Sequence, residues 1–291
     1  MNWIHVAILA AVQGLTELLP VSSSAHVIVT AELLHENMST PAHALLLVLL
    51  HTGTMCAVMV YFWRRWREDF LLSWRHCRRF CRLVFAASLC SGLIGYPLIV
   101  MVEDALSHGH HQAVIEALFH KLNWIAPALA VVGLLIVYAG LREARQPAPA
   151  AASVRRGIRW SDAILMGALQ GVAIPFRGFS RSGATISGGL LTGGQRAEIE
   201  SFSFAMAVVI TPLAVGREVW RLVHAAHRAG APVHWEAALA PGLLGMVCAF
   251  MAGLLALRWL SRWLDQGRWH WFGIYCLVAA GAIEVLYLRG W

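Results

Sequence analysis

Residues 13–26 read QGLTELLPVSSSAH, and a second stretch, residues 170–185, reads QGVAIPFRGFSRSGAT. The first sets an amide (Gln13), a carboxylate (Glu17), three hydroxyls (Ser22, Ser23, Ser24) and an imidazole (His26) inside almost wholly apolar surroundings. An ionisable side chain at membrane depth costs at least about 2.5–3.5 kcal/mol on insertion scales, so a polar run there generally lines a site or a pathway. Laying Gln13-Gly14 over Gln170-Gly171 brings Ser22-Ser23-Ser24 onto Ser180-Arg181-Ser182, with one extra residue in the second copy. The chain carries one motif twice.

Working outward, the 291 residues are 58% hydrophobic and only 13% charged, with a mean hydropathy of +0.62. That leaves too little polar surface for a soluble domain and points to a polytopic membrane protein. The net charge of +7 is nearly all arginine, with Lys121 the one lysine. The arginines cluster between apolar spans, where they read as topology signals rather than a nucleic-acid surface. The six cysteines show no C-x-x-C spacing, so neither a zinc site nor a disulfide framework is implied. The first residues, MNWIHVAILAAVQG, lack a basic region and run straight into the polar motif, which makes them part of the fold and not a cleaved signal.

The apolar run from Trp3 breaks at Pro20 and resumes as the short run Ala25 to Leu34. Neither piece reaches the roughly 20 residues a spanning helix needs. The expectation is a re-entrant helix–loop–helix, tolerable only where its tip is buried in protein or lines a wet cavity. Full spans follow over Ala42–Trp63, Leu83–Val102 and Trp124–Leu141. A second broken hairpin over Ser161–Pro175 and Ala184–Gly194 precedes spans over Phe202–Val223, Ala237–Leu257 and Trp269–Leu288. Arg64 to Arg82, Arg142 to Arg159 and Arg258 to Arg268 supply three arginine-rich connections, read as loops on the cytoplasmic side. The fold class expected is therefore all-α and polytopic, with six spans and two re-entrant hairpins. Residues 1–146 form one repeat, 147–160 a linker and 161–291 a second repeat. Three spans per half is an odd number, so the halves are inverted and the hairpins enter from opposite faces, as in known substrate-binding membrane folds.

Gln13 and Glu17 stand four residues apart and share a helix face, a spacing that suits two oxygen ligands on Mg²⁺ or Ca²⁺. Glu17 equally suits a base, or a polar group paired within a bundle. Ser22, Ser23 and Ser24 precede a helix and fit either simple capping or a phosphate-binding helix start. In the second copy Gly178 and Gly183 bracket Phe179-Ser180-Arg181-Ser182, and the Arg181 guanidinium suits phosphate oxygens or an ion pair with Glu17. His26 is placed to return toward Ser22 and Ser23, beside which it can move a proton. His51 reads as structural or supporting, Arg177 as a phosphate contact or a snorkelling residue, and His108, His110 and His111 as solvated.

At these residues the sequence resembles the undecaprenyl-diphosphate phosphatase family, also called bacitracin-resistance proteins. Two motifs carry the likeness: Gln13-x-x-x-Glu17 with Pro20-Val21-Ser22-Ser23 and His26, and Gly178-Phe179-Ser180-Arg181-Ser182-Gly183-Ala184-Thr185. The family has Glu or Gln at the position of Gln13, and its second motif usually follows a Pro-Gly pair, where this chain has Pro175-Phe176-Arg177-Gly178. The resemblance implies removal of the terminal phosphate of undecaprenyl diphosphate to recycle a cell-wall lipid carrier. It also implies bacitracin resistance, a divalent cation, and a site in the bacterial cytoplasmic membrane reached from the outer (periplasmic) side. Glu17, Ser23, His26 and Arg181 are then the candidate catalytic residues, with Gln13 and Glu17 on the metal. Ser22, Ser24, Ser180, Ser182, Gly183 and Thr185 are the candidates for holding phosphate. The partners expected are undecaprenyl diphosphate and membrane lipid, with no nucleic acid and with a homodimer allowed. The rival reading is a transporter or flippase of the polyprenyl phosphate using the same pocket, and a third is a scaffold whose motifs only pack helices.

Overall fold

The computed structural model describes residues 2–36, 41–70, 72–107, 122–145, 157–176, 178–229 and 235–289. Among them the chain is helical: α1 (Trp3–Leu18), α2 (Ser23–Leu33), α3 (Pro41–Asp69), α4 (Trp74–Ser107), α5 (Leu122–Ala144), α6 (Trp160–Ala173), α7 (Arg181–Leu191), α8 (Arg196–Ala229), α9 (Trp235–Asp265) and α10 (Trp269–Leu288). Five of these, α3, α4, α5, α9 and α10, contain a stretch long and apolar enough to cross a membrane, and the chain is a multi-pass membrane protein. The sixth expected span falls on α8, where several side chains beyond Leu213 lie outside the description. Both broken hairpins are present as pairs of short helices, 16 and 11 residues for α1 and α2, 14 and 11 for α6 and α7. The helices otherwise overrun their expected spans. Arg64, Arg65 and Arg67 lie in α3 and Arg75 to Arg82 in α4, because arginine is a good helix former and nothing breaks the helix until Phe70. The expected loop shrinks to the residues between Asp69 and Trp74. Arg177, the histidines 108, 110 and 111, and most of the linker lie outside the described residues.

The chain divides into two compact units. The first comprises Met1–Leu18, Ser23–Arg64 and Ala207–Trp259; the second comprises Leu19–Ser22, Arg65–Met206 and Leu260–Trp291. The helices α3, α8 and α9 thus contribute to both.

In the first unit, Val6, Leu9 and Ala10 of α1 recur at helical spacing and meet Val27 and Ala31 of α2, Leu46 and Leu50 of α3 and Ala249 of α9. Lipid tails remove most of the hydrophobic drive between helices, so close packing and polar contacts must hold them. Gly14 shows the closeness: a Cβ there would stand 2.6 Å from the Ala249 carbonyl oxygen and 2.6 Å from the Ala252 Cβ. At the far end of the same unit Glu36, just past α2, meets His5 Nδ1 at 2.6 Å and His43 Nε2 at 3.0 Å, tying α1, α2 and α3 together.

In the second unit α6 packs on α4 and α7, α7 on α5, and α5 most extensively on α10. Gly171 repeats the role of Gly14, since a Cβ there would stand 2.9 Å from the Ser91 carbonyl oxygen of α4. The Asp162 carboxylate accepts from the Arg159 N–H at 2.8 Å and fixes the start of α6. Trp269 donates through Nε1 to Ser187 at 3.0 Å, and Trp66 to the Ser201 carbonyl at 3.2 Å. Buried Glu200 accepts from Ser261 at 2.5 Å, with Arg65 4.0 Å away. Arg196 pairs with Glu143.

Two outcomes follow for stability in detergent. Gly14→Leu must force α1 off α9 and cost about 1–3 kcal/mol, seen as a lower melting temperature. Gly92→Ala, where no atom lies within 4 Å, serves as the harmless control, and equal effects of the two would contradict the packing described. The second concerns Glu36. Its hydrogen bond to His5, opposed by desolvation and assisted by His43, holds the carboxyl below its ordinary value of 4.5. The native state therefore binds fewer protons than the unfolded one. The added stability is present above pH 4.5 and disappears as pH falls through the lowered value. The melting temperatures of the native protein and of Glu36→Gln should differ at neutral pH and converge below pH 4.5; a pH-independent gap would be inconsistent with this linkage.

Candidate active site

The polar residues of the first unit sit where its apolar stripes end. On α1 the buried positions Val6, Leu9 and Ala10 continue to Gln13, 1% exposed, and one turn further to Glu17, whose side chain is 11% exposed. On α2 the stripe Ala31 and Val27 runs back to Ser23, and on α3 Leu46 and Leu50 lead to His51. Three helices therefore present polar groups at one level of the same core.

Glu17 Oε2 is the hub. It accepts from Ser23 Oγ at 2.5 Å and from Gln13 Nε2 at 3.1 Å, and His51 Nε2 stands 3.6 Å away. Gln13 Nε2 also lies 3.3 Å from His51 Nε2. The His51 Nδ1 is 2.8 Å from the Leu47 carbonyl. A carbonyl only accepts, so Nδ1 carries a proton. His26 stands three residues after Ser23 on the part-exposed side of α2, and Ser24 beside it; each makes further contacts.

The turn joining α1 to α2 belongs to the second unit and is held there from two sides. Cys276 of α10 donates its thiol to the Pro20 carbonyl at 3.1 Å, and Ser182 of α7 donates to the Leu19 carbonyl at 3.4 Å. Ser22 takes a left-handed φ of 66° while 6% exposed, a conformation a serine keeps only when its surroundings enforce it.

The second motif opens α7. Ser180 caps the helix by accepting from the Gly183 N–H at 3.2 Å, and its hydroxyl lies 3.4 Å from that of Ser182. Arg181 is the first helical residue and part-exposed. Gly178 has a φ of +99°, and a Cβ there would stand 2.4 Å from the Ile125 carbonyl oxygen. Only glycine fits, and the fit presses the loop onto α5. Thr185 is fully buried and spends its hydroxyl on the Arg181 carbonyl at 2.9 Å and on Ser203 at 2.6 Å. It braces the motif from below.

The structure thus brings together Gln13, Glu17 and Ser23, and separately Ser180, Arg181, Ser182 and Gly183 at one helix start. Sequence reasoning underweighted His51 and missed Cys276. The signal for His51 was available, since an imidazole in an apolar span meets the same cost argument applied to Glu17. For a metal, no group of three His, Cys, Asp or Glu residues among those described is arranged to hold one. The donor set here is one carboxylate, one amide and one imidazole. That fits a divalent cation whose remaining ligands come from water or phosphate oxygens.

The model of the family described as bacitracin resistance protein BacA matches residues 6–282. A protein named Undecaprenyl-diphosphatase 2 from Acinetobacter baylyi is 44% identical over 288 residues, 98% of each chain. One named Undecaprenyl-diphosphatase from Rhodopirellula baltica is 30% identical over 287 residues, again 98% of each chain. One named Undecaprenyl-diphosphatase 2 from Chromobacterium violaceum is 30% identical over 297 residues, 99% of each. Both motifs lie inside the matched region, and with nearly the whole chain aligned the protein belongs to the bacitracin resistance protein BacA family.

Proposed function

We propose that the protein is an integral membrane phosphatase that hydrolyses undecaprenyl diphosphate to undecaprenyl phosphate and inorganic phosphate. The names of its relatives give the substrate. The observation that carries the chemistry is the contact of Ser23 Oγ with Glu17 Oε2 at 2.5 Å. A carboxylate that already holds a serine hydroxyl can take its proton as the oxygen attacks phosphorus. Ser23 Oγ bonds to the terminal phosphorus, the bridging P–O bond breaks, and undecaprenyl phosphate departs with the electron pair. Water then cleaves the phosphoserine, releasing phosphate and returning the proton to Ser23. His26, one helical turn from Ser23, moves the proton to or from the departing groups. Arg181 and the start of α7 hold the phosphate oxygens, aided by Ser180, Ser182 and Gly183. Ser22 and Ser24 shape the turn around Ser23.

Gln13 and Glu17 would hold the divalent cation, Mg²⁺ or Ca²⁺ for an oxygen pair, which supplies positive charge against the oxygens as they become negative. We also propose the inverted repeat with two re-entrant hairpins and six spans, opening to the outer side of the cytoplasmic membrane. The packing supports it. Gly14 of the first Gln-Gly pair seats α1 on α9, and Gly171 of the second seats α6 on α4; α9 and α4 are the second long spans of their respective halves, so each hairpin leans on the equivalent helix of the other repeat. A homodimer is compatible with this arrangement. The flippase reading is not favoured, because transport needs no serine held on a carboxylate.

Detergent-purified protein given undecaprenyl diphosphate and a divalent cation should release phosphate. Ser23→Ala and Glu17→Gln should each lower the rate on the order of 10²–10⁴-fold, and Arg181→Lys should lose most of it, because one point charge cannot replace a bidentate fork. Rapid quench should trap phosphate on Ser23. Absence of release by the native protein would refute the enzyme reading, and full activity in Ser23→Ala would refute the nucleophile.

A further inference from the structure

We infer that the opening turns of α4 carry a binding site for an anionic phospholipid, its phosphodiester headgroup held by Arg75, Arg78, Arg79 and Arg82 and its acyl chains laid along Leu89 and Leu93. The site lies wholly in the second unit and takes no residue from either motif.

Arg75, Arg78, Arg79 and Arg82 follow one another at i, i+3, i+4 and i+7, which puts all four on one face of the helix. Together with Trp74 they line a single open groove, and all five are exposed. The opposite face is the one that packs. Phe80 stacks on Phe70 with ring centroids 4.2 Å apart and meets Phe202 edge-on, and Leu83, Val84 and Ala87 are buried. Arg79 donates to the Ile158 carbonyl at 2.9 Å, which fixes one side of the stripe against the segment before α6. Among the described residues Arg75, Arg78 and Arg82 meet no carboxylate, and the first turn of α4 holds no acidic residue. Left so, the stripe is costly. Like charges three and four residues apart repel, and Arg75 in the first turn also opposes the helix macrodipole. A bound anion relieves both.

The continuation of the same face selects a lipid over a free anion. Carried on at helical spacing from Arg82, the stripe runs to Leu89, Leu93 and Tyr96, all exposed. The helix α4 is long and apolar enough to cross a membrane, so these side chains meet lipid tails. At about 1.5 Å per residue, Arg82 to Leu93 rises roughly 16 Å, half of a hydrocarbon core roughly 30 Å thick. That is the depth of one leaflet. A phosphodiester at the arginines therefore has its chains beside Leu89 and Leu93, whereas free phosphate would leave that stripe unused. The guanidinium fork matches paired phosphate oxygens, and Trp74 supplies an aromatic ring of the kind that settles at headgroup level. A count of arginines is enough to orient a chain in the membrane. Register on one face, continuous with exposed apolar residues, is the further requirement of a bound lipid.

The test counts lipids bound to the full chain in a neutral detergent by native mass spectrometry, as phosphatidylglycerol or phosphatidylcholine with the same acyl chains is added. Phosphatidylglycerol should bind at least about 10-fold more tightly. In Arg78→Gln/Arg82→Gln, where glutamine keeps the helix propensity, the melting temperature should stay near native and the preference should fall about 10-fold or more. His76→Arg/Arg78→Gln keeps the number of arginines but moves one off the stripe, and should lose as much of the preference as Arg78→Gln alone. Glycerol phosphate, which has the anion and no chains, should not displace the bound lipid. Equal retention of the two phospholipids, a preference that survives Arg78→Gln/Arg82→Gln, or native preference in His76→Arg/Arg78→Gln would overturn the site. Displacement by glycerol phosphate would give the groove to a free anion and overturn the lipid.

Discussion

A carboxylate at the end of an apolar stripe governs the first unit. Glu17 lies one turn beyond Gln13 on the same face that buries Val6, Leu9 and Ala10. Burying an ionised carboxylate is tolerable only when its oxygens are met by donors. The neighbouring stripes supply them: α1 itself through Gln13 and α2 through Ser23, while α3 brings the His51 ring to the same oxygen. Each of these residues stands in helical register with packed apolar residues, so the helix packing that buries Leu9 and Leu50 also sets the hydrogen-bond lengths. A shift of one helix would break the polar cluster and the packing together. The cluster is precise for that reason, although it sits at the mouth of a hairpin too short to cross a bilayer.

The two copies of the motif have the same opening and opposite endings. Gln13 and Gln170 both stand before a glycine that seats its helix on a neighbour. Beyond that point they diverge. Gln13 faces Glu17, whereas the equivalent position four residues after Gln170 is Ile174. With no carboxylate to meet, Gln170 donates to Ser91 at 3.0 Å, and Ser91 in turn donates to the Ala87 and Gly167 carbonyls. One glutamine donates to Glu17 and the other ties α6 to α4. The aligned serine position diverges too. Ser23 of the first copy falls on Arg181 of the second, and Glu17 of the first falls on Ile174. On the proposed reading the first copy supplies the nucleophile and the second the guanidinium.

How much of this could be read in advance depends on the kind of signal. The helix breaks after Leu18 and Ala173 follow from Pro20 and Pro175 and were legible. The Ser180 cap was not, since the capping reading was made only for Ser22, Ser23 and Ser24 of the first copy. The helix ends near the arginines were not, because hydropathy marks where lipid stops and says nothing of where a helix stops; α3 and α4 continue through arginines that favour helix. Thr185 carries a phosphate-type motif position and yet turns inward to Ser203, a choice made by a helix 18 residues away in sequence. His51 and Cys276 belong to the same class. Their roles depend on contacts with α1 and with the Leu19–Ser22 turn, and no local pattern encodes a partner 38 or 256 residues distant.

Charge balance explains why glutamine is acceptable at position 13 where a second carboxylate would also fit. A lipid diphosphate brings one negative charge on its inner phosphoryl group and roughly 1.5–2 on its terminal one. On the proposed reading a divalent cation beside one carboxylate would offset part of that charge, and residual charge is expensive in low-dielectric surroundings. Glutamate at position 13 would add a further negative charge facing Glu17, a like-charge pair that raises the cost of keeping either ionised. An amide supplies an oxygen without that repulsion. Glu17 then stands as the carboxylate on which the Ser23 hydroxyl rests.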